Sequence, residues 1–175
     1  MGLDDALRMK REEICVGHMK AENAHEFESA IGFFERPRYE VVATGEVYNG
    51  SSELGRLMQE NVTAFPDFNY EFERLHHADH AIVVEGTFRG THEGTWRGLP
   101  ATGRSVEFPM LIVFAFEGKA MMGERIFFDL GTALRQLGVA RDPNSTAGKI
   151  TTALNHPITI SRALLRKLVR RRPAS

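Results

Sequence analysis

At Pro66-Asp67 the spacing of apolar residues changes from that of a helix to that of a long series of strands, and this change restricts the fold more than any other feature. Upstream of it, Leu54, Leu57, Met58, Val62 and Phe65 mark one stripe of a helix that Ser51 or Ser52 can cap and Pro66 stops. Downstream, Phe68, Tyr70 and Phe72 alternate with Asn69 and Glu71, which is the period of a strand. His80–Arg89 predicts a second strand around Ile82-Val83-Val84. The Gly-, Thr- and Pro-rich segment Gly90–Gly103 predicts a long hairpin or bulged connection. Val106–Phe116 is the most apolar run and predicts a long buried strand. Gly118 turns the chain back into a last strand ending at Phe127-Phe128, followed by a short helix closed by Gly138.

The segment before this series is helical. Leu3, Leu7, Ile14, His18 and Met19 fall roughly on one stripe; Asn23 can cap a second helix holding Phe27, Ile31 and Phe34, which Arg36-Pro37 ends. Val41-Val42 and Gly45–Gly50 predict a short hairpin. The order is therefore two helices, a hairpin, a third helix, four consecutive strands and a closing helix. Consecutive strands with short connections form a curved antiparallel sheet, and helices can bury their stripes on only one face of it. The expected architecture is α+β: a sheet wrapped over N-terminal helices as a cone with an internal pocket, over residues 1–139.

Charge and composition exclude several classes of function. The 175 residues carry 22 Lys and Arg against 23 Asp and Glu, so nothing global favours nucleic acid. The single cysteine, Cys15, excludes an internal disulfide and a cysteine metal centre, and in a helix interior it reads as an inert thiol. The acidic start MGLDDALRMKREE lacks the apolar core of a signal peptide, and Ala6 stands where a myristoylation signal has Ser or Thr. No apolar run reaches the roughly 18 residues of a membrane span, so the expected location is the cytoplasm. His76, His77, Asp79 and His80 resemble a metal cluster, but adjacent residues of a strand point to opposite faces. Neither metal nor cofactor is expected.

The candidate chemistry centres on Asp129, at the switch from the last strand to the closing helix. It is a good N-cap, and beside Phe127 and Phe128 it is also placed to be a desolvated general acid/base. His92, in the glycine-rich hairpin, is a candidate partner at a cavity mouth or a solvent-facing loop residue. Tyr48 is a candidate hydrogen-bond donor to substrate; Trp96, Phe114 and Phe127 are candidate substrate contacts, with Trp96 as a rim aromatic. Glu124, on the strand five residues before Asp129, is a candidate second carboxylate but is expected to pair with an arginine such as Arg125 or Arg104. Beyond residue 139, Arg141–Gly148 reads as a linker. Ile158–Arg172 reads as a basic amphipathic helix, expected to pack on its own domain or a partner subunit in preference to an anionic membrane or nucleic acid.

Two blocks carry a family resemblance. Gly90-Thr91-His92-Glu93-Gly94 continues through Gly98-Leu99-Pro100-Ala101-Thr102-Gly103-Arg104. Phe116-Glu117-Gly118-Lys119 leads to Glu124, Asp129 and Leu134-Arg135-Gln136-Leu137-Gly138. Over roughly residues 8–139 the chain resembles the SnoaL-like polyketide cyclases of the nuclear-transport-factor-2-like, or ketosteroid-isomerase-like, superfamily. The resemblance implies a cofactor-free enzyme acting on a small apolar or polyketide-like carbonyl compound, with Asp129 as acid/base, and a homodimer through the outer sheet face. The pattern departs from the cyclases in two places: Pro109-Met110-Leu111-Ile112 is apolar where they carry polar groups, and Ile126 replaces a tryptophan. A non-catalytic ligand-binding or dimerisation module and an epoxide hydrolase are therefore the alternatives.

Overall fold

The computed structural model describes residues 4–170. The elements run α1 (Asp5–Asn23), α2 (Phe27–Gly32), β1 (Arg38–Val41), β2 (Glu46–Asn49), α3 (Gly50–Ala64), β3 (Asn69–Ala78), β4 (Ala81–Thr91), β5 (Ser105–Glu117), β6 (Ala120–Phe128), α4 (Leu130–Gln136), α5 (Thr146–Asn155) and α6 (Pro157–Arg170). The predicted order of helices and strands therefore holds. The chain divides into two compact units, one ending at Leu137 and one beginning at Gly138.

In the first unit six strands form one sheet in the order β2-β1-β6-β5-β4-β3. β3 to β6 make an antiparallel meander, as their short connections require. β1 joins β6 in parallel, with Tyr39 opposite Glu124. That join departs from an all-antiparallel sheet, and it has a consequence for the site: it brings a residue from early in the chain beside the last strand.

α1 packs against β3, β4 and β6. Its buried residues Arg11, Cys15, His18 and Met19 recur at helical spacing, so one stripe faces the sheet. Burial pushes the Cys15 thiol far up, which keeps it inert. Both ends of α1 are fixed by side chains. Arg11 donates from Nε to the Gly118 carbonyl (2.7 Å) and from Nη1 to the Asp79 carbonyl (3.0 Å), and its guanidinium lies 5.1 Å from the Phe116 ring centroid. One buried cation thereby ties two hairpin turns to the helix. At the other end Asn23 does not cap α2; its amide donates to the Tyr70 carbonyl (2.9 Å) and accepts from the Tyr70 N–H (2.8 Å). Neither Ser51 nor Ser52 caps α3, because the helix starts earlier. Its N-cap is Asn49, whose N–H donates to Glu53.

Two apolar clusters fill the unit. The larger gathers Cys15, Met19, Leu54, Leu57, Met58, Ile82, Ile112, Phe114 and Met121; the smaller gathers Ala64, Phe65, Phe68, Val106, Phe108, Ala133 and Leu137. The Gly90–Gly103 connection folds onto the end of α3. Gly94 makes this possible, since a Cβ there would stand 2.1 Å from the Thr63 carbonyl oxygen.

The second unit holds α5 and α6. The expected linker is shorter than residues 141–148, because Ser145 caps α5 by accepting from the Gly148 N–H. α6 covers most of the predicted 158–172 helix, and residues 171 and 172 lie outside the described residues.

Candidate functional site

A cavity of about 110 Å³ lies between the two apolar clusters, lined from α1, α3, α4, the Trp96-Arg97 loop and every strand but β2. It is of the same order as the ~150 Å³ engineered cavity that holds benzene. One wall is a row of stacked rings. Phe68 and Phe88 lie 6.0 Å apart, Phe88 and Phe108 5.1 Å, and Phe108 and Phe128 5.4 Å, with interplanar angles of 13° to 26°. The row follows from strand geometry. Phe88 and Phe108 are cross-strand partners in the β4–β5 ladder, and Phe128 ends the next strand on the same face. Val106, Phe108, Met110 and Ile112 bring no polar side chain from β5, in keeping with the apolar stretch seen in the sequence.

Glu124 breaks this apolar lining. It shares the inner face of β6 with Ile126 and Phe128 by the two-residue period and is only 2% exposed. Its carboxylate does not meet Arg125 or Arg104, which corrects the pairing expected from sequence. Arg125 points out to Glu40. Instead Glu124 meets His18 of α1, with Nε2 3.4 Å from its Oε2, and Glu22, one turn further on, approaches the same nitrogen at 3.4 Å. The Tyr39 hydroxyl lies 3.0 Å from that nitrogen. His18 Nδ1 is 3.0 Å from the Ala30 carbonyl oxygen, which can only accept, so Nδ1 carries a proton in every charge state.

The electrostatics follow from burial. Desolvation pushes the Glu124 carboxyl well above the ordinary carboxylate range, opposed by the His18 imidazole. Burial alone would discharge His18, but Glu124 and Glu22 together outweigh it and raise its pKa to about 10. Among the described residues neither Glu124 oxygen has a hydrogen-bond partner. A buried carboxyl on an apolar cavity wall, opposed by the single His18 contact, is held there by the fold. The donor atoms of His18, Glu22 and Glu124 lie within 4.8 Å of one another, a set that is also able to hold a divalent cation. The Tyr39 hydroxyl already engages the imidazole Nε2, which favours a proton in that place.

Asp129 stands elsewhere. It is the N-cap of α4, accepting from the Gly131 N–H at 2.8 Å, from the Thr132 hydroxyl at 2.5 Å and from Arg135 at 3.2 Å. Its side chain is 64% exposed and does not line the cavity. The Thr132 hydroxyl, outweighing desolvation, leads the contacts that hold its carboxyl below the usual range. The raised basicity expected of a desolvated carboxylate is thus absent.

His92 is buried, but within the hairpin. Its Nδ1 accepts from the Thr102 N–H, and its ring stacks on Phe65 at 5.2 Å. Burial lowers its pKa, and it meets neither the cavity nor Asp129. Trp96 does line the cavity. Tyr48 lines an adjoining polar vestibule with Glu46, Glu60, Asn61, Trp96 and Arg97. Phe114 packs behind the site, edge-on to His18 at 5.6 Å. Phe127 faces away from the cavity, as its odd position between Ile126 and Phe128 requires, and lies under the Arg125 guanidinium. His18, Glu22 and Tyr39, which surround Glu124, are not among the candidates that the sequence singles out. The i,i+4 pair on α1 and the two-residue phase of Glu124 with Phe128 are the signals that point to them.

The sequence profile of the SnoaL-like polyketide cyclases matches residues 19–137. No curated protein matches the chain. Among solved structures it is similar to a phenazine biosynthesis-related protein from Pseudomonas aeruginosa, with a TM-score of 0.67 and 21% identity, covering 85% of this chain and 94% of that one. It is also similar to TsrD from Streptomyces laurentii, with a TM-score of 0.63 and 21% identity over 79% of this chain and 99% of that one. A protein with a ketosteroid isomerase-like fold from Catenulispora acidiphila gives a TM-score of 0.61 and 16% identity, over 73% and 93% of the two chains. These likenesses establish the fold, and the profile match over residues 19–137 establishes the family: the chain belongs to the SnoaL-like polyketide cyclases.

Proposed function

We propose that the cavity performs cyclase- or isomerase-type proton transfer on a small apolar, polyketide-like carbonyl compound, with Glu124 as the general acid/base in place of Asp129. The observation that carries this reading is the Glu124 carboxyl, buried on an apolar cavity wall with neither oxygen hydrogen-bonded. Such a group has a raised pKa and lines the space a substrate would fill. In its ionised form it takes a proton from carbon next to the carbonyl. The electron pair moves to the carbonyl oxygen as an enolate, which then closes on a second carbonyl, whose oxygen takes the proton from Glu124, or takes that proton back at another carbon. His18 opposes the loss of the Glu124 charge, and the Tyr39 hydroxyl, on the strand paired with that of Glu124, is a neutral donor for the enolate oxygen.

The purely apolar inner face of β5 favours a second reading, a ligand carrier without turnover. The epoxide-hydrolase alternative gains no support, because no aspartate lines the cavity among the described residues. Comparing Glu124→Gln with the native protein on polyketide-like β-dicarbonyl substrates separates these readings. The enzyme reading expects ligand binding retained and turnover reduced by about 10²–10⁴-fold. Native-like turnover in the variant would refute Glu124 as the base; binding without turnover in both proteins would establish the carrier.

A further inference from the structure

The second compact unit carries charges unlike those of the first. From Gly138 onward there are eight basic residues and one acidic residue, Asp142, a formal charge of +7. Since the whole chain is at −1, the preceding 137 residues stand at −8. Basic and apolar residues are also separated around α6. Arg162, Arg166 and Lys167 occupy one arc, while Ile158, Leu164 and Leu165 occupy the other at 100° per residue. These three apolar side chains are 69%, 57% and 61% exposed, and Ile150 and Leu154 of α5, one turn apart, are 56% and 74% exposed.

We propose that α6 lies on the surface of an anionic lipid bilayer, with Leu164 and Leu165 in the acyl boundary and the arginines among the headgroups. Charge complementarity selects this occupant over others. An acidic protein face or a nucleic acid would satisfy the basic arc and leave the leucines in water. A second copy packed through the leucines would cover them and leave both basic arcs turned away from the contact, without a counter-charge. An anionic interface takes both arcs at once. No helix of the described residues is long and apolar enough to cross the membrane, so α6 lies in the interface plane.

The test is co-sedimentation of the full chain with vesicles of 30% phosphatidylglycerol in phosphatidylcholine, against pure phosphatidylcholine, at physiological salt. The expected result is at least tenfold tighter binding to the anionic vesicles. Leu164→Glu/Leu165→Glu and, separately, Arg162→Glu/Arg166→Glu should each return binding to the neutral-vesicle level with unchanged far-ultraviolet helicity. Should the leucine variant lose helicity, the charge-swap variant and the salt dependence of the native chain decide the matter. Equal binding to both vesicles would overturn the proposal. So would anionic binding indifferent to the leucines, the signature of simple electrostatic attraction to any polyanion. An oligomer dissolved by the leucine variant without vesicle binding by the native chain would overturn it in favour of self-association.

Discussion

Replacing Glu124 by Gln removes a buried charge and leaves the shape of the side chain, so activity and stability should move in opposite directions. The folded carboxyl is raised from 4.5 to about 7, chiefly by desolvation. At 1.36 kcal/mol for each pH unit, ionising it inside the fold costs about 3 kcal/mol more than ionising it in the unfolded chain. A raised pKa contributes stability that is fully present below the unfolded value and lost as pH rises through the folded one. His18, also raised, has the same sign over a higher window, from 6.5 to about 10. The native protein should therefore lose stability between pH 5 and pH 8 in a way that the Gln variant does not. The variant also lacks the carboxylate that leads the raising of His18, so it should gain on the native protein by about 3 kcal/mol or more across that range. Any penalty from the buried amide is independent of pH and cancels from the difference. Urea denaturation at pH 5, 6, 7 and 8, with equal m-values, measures the change. Turnover should fall about 10²–10⁴-fold, and native kcat/KM should rise with pH through the raised Glu124 value. A stability difference that stays flat with pH, or turnover within threefold of native, would refute the assignment of Glu124 as a desolvated base.

Three other substitutions probe the frame around it. Asp129→Asn keeps a good N-cap and touches no cavity residue, so turnover should stay within twofold of native; a large loss would restore Asp129 as the base. Tyr39→Phe removes the hydroxyl 3.0 Å from His18 and should lower kcat about tenfold with KM little changed, read from steady-state kinetics. Arg11→Met loses two charge-assisted hydrogen bonds to turn carbonyls and the stacking on Phe116. It should destabilise the fold by about 3 kcal/mol in urea while leaving turnover per folded molecule unchanged.

The order of elements was legible because it depends on period alone. Helical spacing before Pro66 and alternation after it decide which face of each element is apolar, and a sheet with helices on one face is the consequence. Features that depend on a partner distant in the chain were not legible. Asn23 has the chemistry of a cap and acts instead on Tyr70, 47 residues away. The α5 helix was masked by Asp142, Pro143, Asn144 and Ser145, which read as a linker although the last of them starts a helix.

The same distinction explains why Asp129 stands out in the sequence and Glu124 does not. Asp129 is conspicuous because its role is local: a strand ends, a helix begins, and an aspartate at that junction is visible in any reading of neighbours. Glu124 acquires its character from three places in the chain. α1 supplies His18 and Glu22, and the parallel β1–β6 join sets Tyr39 opposite Glu124 in the sheet. The apolar rows of β5 and β6 remove the water. α1, β1 and β5 are all distant from it in sequence, and the arginine that is adjacent, Arg125, points to the other face. A strand's two-residue period nevertheless ranks the two acids. Glu124 shares phase with Ile126 and Phe128, so if those residues line a cavity it must line it too, whereas Asp129 lies beyond the strand's end and is taken up by the helix it starts. A carboxylate able to be desolvated is therefore best sought at an inward phase within the apolar strand, ahead of the junction that terminates it.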